Sequence, residues 1–158
     1  MALKASTLMA QSPDKDILFV LYDVARLMRT RADQHARRYG MTRAQWVILS
    51  WLERQSGISQ NDLAGLVEVE PITVCRLVDR LEARGLVERR SDPKDRRVRR
   101  LHLTPQAKPM LDEIHKYRDN LRSHVTAGIS PEALSMQVET LLQMKANLLR
   151  QPSAAQAG

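Results

Sequence analysis

Apolar residues recur at helical spacing along most of this chain and change to a spacing of two in one place. Ile17, Leu18, Leu21, Val24, Ala25 and Met28 form one stripe, which predicts a helix from Asp14, its cap, to about Arg38, with Gly40 as its stop. Thr42 stands where it can cap a second helix, carrying Trp46, Leu49 and Leu52 and running to about Arg54 before Ser56 and Gly57 close it. Ser59 caps a short third helix from Gln60 to about Val67, with Leu63, Ala64 and Val67 facing inward. A brief turn, Glu68 to Pro71, leads to a fourth helix in which Val74, Leu77, Val78 and Leu81 keep the i, i+3, i+4, i+7 rhythm. Its other face carries Thr73, Arg76 and Arg80. Two short helices joined by so brief a turn form a helix-turn-helix pattern, and an ordinary helical hairpin is the plain alternative.

Gly85 ends the fourth helix where a left-handed residue costs least, and the period then shortens. Leu86 and Val87 begin a strand, Ser91-Asp92-Pro93-Lys94-Asp95 has turn composition, and Val98, Leu101 and Leu103 restart an apolar strand beyond it. Thr104 and Pro105 start a long helix with Ala107, Met110, Leu111, Ile114, Tyr117, Leu121 and Val125. Pro109 falls five residues into it and predicts a bend. Gly128 to Pro131 breaks and recaps the chain, and Ala133 to about Arg150 forms a last helix with Leu134, Val138, Leu141, Leu142 and Leu148 on one side. The fold class is therefore mainly α with a small β-hairpin. A first helix of about 25 residues is too long for a small three-helix core to cover, so part of its stripe is expected to meet another chain.

Charge sharpens this picture. Between Pro71 and Thr104 stand ten basic residues, nine of them arginine, against five acidic ones, so this segment supplies +5 of the chain's +7. Arginine suits fixed, bidentate contact with phosphates or guanine edges. A solvated basic face is the alternative, and a basic hairpin directly behind a basic helix argues against it. Aromatic content of 4% requires an aliphatic core, which suits helices. One cysteine leaves no internal disulfide framework and fits a reducing compartment. No apolar run approaches the ~20 residues needed to span a bilayer, and no signal-peptide centre precedes the first helix. A cytoplasmic protein without membrane contact is expected, and a pI near 10.1 points to nucleic acid as its acidic partner.

One family matches this order of features. The run Arg76 to Arg89, RLVDRLEARGLVER, followed by Asp92-Pro93-Lys94-Asp95-Arg96-Arg97 and Leu103-Thr104, resembles the MarR family of bacterial winged helix-turn-helix transcriptional regulators. The similarity covers about residues 14–150. It implies a winged helix-turn-helix DNA-binding region at 41–103 and a helical dimerisation region made of 14–40 and 104–150. A flexible N-terminus at 1–13 and a disordered tail at 151–158 complete the expected division. Two recognition helices of a homodimer would enter successive major grooves of double-stranded DNA, at a pseudo-palindromic operator, with the hairpins as wings in the flanking minor grooves.

Residue roles follow by position. Pro71, Ile72, Thr73 and Arg76 open the recognition helix, where base edges are within reach, and Arg80 suits a phosphate. Ser59 and Gln60 stand at a helix N-terminus that suits a phosphate oxygen. Arg97 matches the wing-tip arginine of the minor groove and Asp95 the carboxylate that holds the tip. Surface pairing of Arg97 with Asp95, or of Arg76 with Asp79, is the competing account.

The resemblance also implies a repressor released by a small aromatic acid, phenolic or thioester effector, with Arg31, His35 and Trp46 as lining residues; Trp46 as core filler and His35 as a surface residue are the alternatives. Cys75, the only thiol, is either a redox-sensitive group or a small buried residue. His35, His102, His115 and His124 are scattered, which argues against a metal centre. No glycine-rich phosphate loop or nucleophile elbow occurs, so neither a cofactor nor an enzyme is expected. The other functional class in play is a nucleoid-associated or protein-interaction winged-helix module without strong sequence specificity.

Overall fold

The computed structural model describes residues 16–67, 69–95 and 97–150. The expected end segments 1–13 and 151–158, together with Asp14, lie outside the described residues. Among the described residues, six α-helices and three short strands follow in order: α1 Ile17–Arg37, α2 Arg43–Arg54, β1 Ile58–Ser59, α3 Gln60–Val67, α4 Pro71–Ala83, β2 Val87–Ser91, β3 Arg99–Leu103, α5 Lys108–Val125 and α6 Pro131–Leu149. A 3-10 turn, Pro105–Ala107, precedes α5. The chain divides into two units between His115 and Lys116, within α5. Among the described residues, no helix is long and apolar enough to cross a membrane.

In the first unit the caps explain most helix starts. Asp16, rather than Asp14, caps α1, its Oδ1 accepting the N–H groups of Leu18 at 2.8 Å and Phe19 at 3.1 Å. α2 begins with a reciprocal capping box: the Gln45 N–H donates to Thr42 Oγ1 at 3.2 Å, and the Thr42 N–H donates to Gln45 Oε1 at 2.9 Å. Ile48, Leu49 and Leu52 of α2, Leu63 of α3 and Val74, Val78 and Leu81 of α4 meet in a core where each is at most 1% exposed. Val87 and Leu101 close that core from the sheet. Gly85 adopts φ +69°, which turns the chain from α4 into β2 at no Cβ cost.

The sheet is antiparallel in the order β1-β3-β2. β2 and β3 pair Val87 with Leu103, Arg89 with Leu101 and Ser91 with Arg99. β1 adds Ile58 opposite Leu101, so the hairpin acquires a third strand that seals its far edge.

Beyond β3 the path differs from the sequence expectation. The α-helix proper begins at Lys108, so Pro109 sits in its first turn, where a missing N–H breaks no helical bond. The irregularity takes the form of a 3-10 turn in front of α5, and no bend inside it is required. Thr104 is tied back to the end of α4 by its hydroxyl, which donates to the Gly85 carbonyl. Ala107 there is fully buried.

The second unit holds the end of α5 and all of α6. Ser130 caps α6 by accepting the Ala133 N–H at 3.2 Å, and Pro131 occupies the first helical position. No residue of α6 is buried. Val138, Leu141, Leu142 and Leu148 are 46% to 86% exposed.

Candidate nucleic-acid interface

The buried spacing of α4 decides which side chains it presents. With Val74, Val78 and Leu81 facing the core, Pro71, Ile72, Thr73, Arg76 and Arg80 are left exposed, and Ile72 is 62% open. The Thr73 and Val74 N–H groups close on the Glu70 carbonyl at 2.8 and 3.1 Å, fixing the first turn.

The ten basic residues of this segment are not equivalent. Five are held internally. Arg89, with a side chain 18% exposed, donates to Asp79 Oδ1 at 2.6 Å, to Glu82, and to the Cys75 carbonyl at 3.4 Å. Its Nε also reaches Gln60 Oε1 at 3.4 Å. Burial by itself lowers the Arg89 pKa, but the bonds and charges of Asp79 and Glu82 outweigh it and the net shift is upward. Arg84 donates to the carbonyls of Tyr39 and Gly40, both at 3.1 Å. Arg90 pairs with Glu88, Arg99 donates to Ser91 Oγ at 2.7 Å, and Arg100 binds Asp92 and the Gly57 carbonyl at 2.8 Å.

These partners account for four of the five acids. Among the described residues, no acidic side chain lies within ion-pair distance of Arg76, Arg80, Lys94 or Arg97. Asp79 turns to Arg89 rather than to Arg76. Arg96 lies outside the described residues.

The wing tip is built on two carboxylates. Asp92 is buried, and its Oδ1 accepts the N–H groups of Lys94 at 2.7 Å and Asp95 at 3.3 Å while Oδ2 binds Arg100. The Lys94 N–H first, and Arg100 next, hold the Asp92 carboxyl below its ordinary pKa, against the opposing effect of burial. Asp95 Oδ1 accepts the backbone N–H of Arg97 at 2.9 Å, which leaves the Arg97 side chain exposed at the turn. Ser59, Gln60, Asn61 and Arg97 to Arg99 then line one shallow cleft. Three sequence candidates, Ser59, Gln60 and Arg97, are thus brought together. The Ser59 hydroxyl is engaged there, donating to Asp62 Oδ2 at 2.6 Å and accepting the Asp62 N–H at 3.1 Å.

The effector candidates occupy different surroundings. Trp46 is 4% exposed. His35 meets it edge-on at 5.5 Å between ring centroids, and Tyr39, not singled out by the sequence, lies 5.6 Å from His35 and 5.8 Å from Trp46. The Tyr39 hydroxyl donates to Glu113 Oε2 at 2.7 Å, tying α5 to this cluster. Arg31, one turn before His35 on α1, is exposed. Cys75 is half-buried. His102 Nδ1 contacts Ser56 Oγ at 3.0 Å, and His115 Nε2 contacts Glu53 Oε2 at 2.8 Å. Among the described residues no three His, Cys, Asp or Glu side chains are grouped to hold a metal ion.

A three-helix core with its second helix pair in helix-turn-helix order, followed by a basic β-hairpin, defines a winged helix-turn-helix protein. The model of the MarR family matches residues 41–98. The chain is 32% identical to the transcriptional regulator PA3341, with a TM-score of 0.76 over 84% of this chain and 98% of that one. To the transcriptional regulator SlyA it is 25% identical, with a TM-score of 0.75 over 85% of this chain and 94% of that one. A MarR-family transcriptional regulator from Silicibacter pomeroyi, 23% identical, shares the fold with a TM-score of 0.79 over 94% of this chain and 99% of that one. The chain belongs to the MarR family, and it is a DNA-binding transcriptional regulator.

Proposed function

We propose that this protein is a homodimeric repressor that grips a pseudo-palindromic duplex with residues 41–103, assembles through 14–40 and 104–150, and lets go when a small aromatic acid, phenol or thioester binds. One observation carries the DNA half of this reading: the acids around α4 and the wing are occupied by Arg89, Arg90 and Arg100 or by a backbone N–H, while Arg76, Arg80 and Arg97 face outward. Pro71, Ile72, Thr73 and Arg76 take base edges, Arg80 a phosphate, and Arg97 the minor groove. Asp95 shapes the wing tip. Gln60 and the start of α3 approach a phosphate through N–H groups. Cytoplasmic residence accompanies this function.

Arg97→Ala tests the wing. In anisotropy titrations against a duplex selected by the wild-type protein, the variant is expected to bind more weakly and with a shallower salt dependence, by about 0.9 in log-log slope for each phosphate it no longer neutralises. Unchanged affinity and slope remove the wing from the interface. For the effector, a thermal-shift screen of aromatic acids and their thioesters, repeated on Arg31→Ala and His35→Ala variants, is expected to find a compound that also releases DNA. Failure of every compound in both assays leaves a constitutive regulator.

A further inference from the structure

The α4 helix carries two exposed carboxylates, Asp79 on the outward face with Arg76 and Glu82 on the flank turned to β2. Asp79 stands three residues after Arg76 and directly before Arg80, and its side chain is 57% exposed; the Glu82 side chain is 41% exposed. Unmasked, Asp79 would put a negative charge on the face of Arg76 and Glu82 another on its flank, and negative charge brought towards phosphates opposes binding. Asp79 is also within helix reach of Arg76, at the i, i+3 spacing that forms surface pairs.

Neither carboxylate is left to do so. Arg89 comes from the neighbouring strand β2 and takes both, donating through Nη2 to Asp79 and through Nη1 to Glu82. Its own backbone N–H adds a bond to Glu82 Oε1 at 3.3 Å, and its Nη2 also reaches the Cys75 carbonyl of α4. A guanidinium is fitted to this task because its fork of donors can serve two carboxylates at once, where an ammonium offers a single point. Its low exposure keeps the counter-charge on the protein side of the carboxylates.

We infer that Arg89 is a positioning residue for DNA recognition, an internal counter-charge that masks Asp79 and Glu82 so that Arg76 and Arg80 meet the duplex unopposed. The inference rests on the reading that α4 faces DNA. Arg89 does not touch the nucleic acid; it sets the charge of the face that does, and it locks the wing strand to the recognition helix through the same contacts.

The test uses the full chain, a palindromic duplex recovered from a random pool by the wild-type protein, and a scrambled duplex of the same length. Arg89→Ala is expected to weaken binding to the palindrome about tenfold at low salt, with the deficit shrinking as salt screens the exposed carboxylates. Arg89→Ala combined with Asp79→Asn and Glu82→Gln is expected to recover most of the loss. A purely structural role predicts the opposite: a deficit that does not shrink with salt and a triple variant no better than the single one. Either of those results overturns the inference. Arg76→Ala in parallel tests the underlying reading, and is expected to lose roughly tenfold or more in preference for the palindrome. Normal binding by Arg76→Ala refutes that reading, whereas weak Arg76→Ala binding with no rescue of Arg89→Ala refutes the counter-charge alone. Circular dichroism establishes that each variant is folded at the assay temperature. Where Arg89→Ala does not fold, the Arg89→Gln series gives the same comparison.

Discussion

Arg80 and Arg84 lie one turn apart at the end of the same helix, carry the same charge and are both exposed, yet the structure separates them. Arg80 has no acidic partner among the described residues, while Arg84 is spent on the Tyr39 and Gly40 carbonyls at the end of α1. On the proposed reading, replacing Arg80 by alanine removes one phosphate contact per recognition helix. With two subunits on one duplex, the slope of log K against log salt then falls by about 1.8, which makes the deficit shrink about tenfold between about 50 and about 200 mM salt. Replacing Arg84 removes two bonds to exposed carbonyls that water can satisfy, a cost of about 1 kcal/mol. That cost appears as a melting point lower by roughly 2–4 °C, with the salt slope unchanged. Anisotropy titrations at four or five salt concentrations, paired with thermal melts, read both quantities. A larger fall in slope for Arg84→Ala than for Arg80→Ala refutes the division of arginines into outward and internal sets. A fall of about 0.9 for Arg80→Ala indicates one recognition helix per duplex.

Two further predictions concern the fold beneath the interface. Leu81 is fully buried where α4 meets the core, so Leu81→Ala is expected to cost about 2–5 kcal/mol, measured by urea denaturation, and to weaken DNA binding only as far as the folded fraction falls. His35 has a lowered pKa, chiefly because burial disfavours its charged form and next because of Arg38, with Glu113 acting the other way. The unfolded chain therefore binds the proton more readily than the folded one, so stability is fully present above the ordinary histidine pKa of ~6.5 and declines as pH falls below it. Melts from about pH 8 to about pH 5 on wild type and His35→Gln are expected to show a smaller decline in the variant, and parallel curves would remove His35 as the cause.

Local signals made much of the fold legible. The Thr42 cap, the spacing of α4, Gly85 and the turn composition after Ser91 each act within a few residues, and sequence displays them directly. β1 escaped because two residues cannot show a period; Ile58 becomes a strand by pairing with Leu101 more than forty residues on. The onset of α5 was misplaced because Thr104-Pro105 is as good a start for a 3-10 turn as for an α-helix.

Within the site, the sequence revealed how many arginines stand near the wing but not which of them are occupied. Arg89 finds its acids seven and ten residues away on another element, Arg84 its carbonyls more than forty residues away, and Asp92 becomes a buried anchor only once the hairpin brings Arg100 across to it. Tyr39 stands four residues after His35, a spacing that puts the two on one helix face, so its ring contact was legible, whereas its bond to Glu113, 74 positions on, was not.

The apolar faces of α1 and α6 lead to the last prediction. Ile17, Leu18 and Phe19 are each more than half exposed, and α6 buries none of its residues although Val138, Leu141 and Leu142 share a face. Exposed apolar surface of this kind marks an interaction site, and the proposed twofold dimer would bury it with a second copy of the same chain. Burying a leucine contributes about 1.5–3 kcal/mol, and a twofold interface uses each position twice. Leu142→Glu should therefore forfeit about 3 kcal/mol or more and raise the dimer dissociation constant a hundredfold or more. Because Leu142 is 58% exposed in the chain itself, its helical circular dichroism is expected to survive. Sedimentation equilibrium at micromolar concentration is expected to give a wild-type dimer of 18.0 kDa chains and a largely monomeric variant. DNA affinity should fall along with dimerisation, since one recognition helix then binds without its twin. A wild-type protein that sediments as a monomer, or a variant that dimerises as tightly as wild type, refutes the assignment of α6 to the dimer.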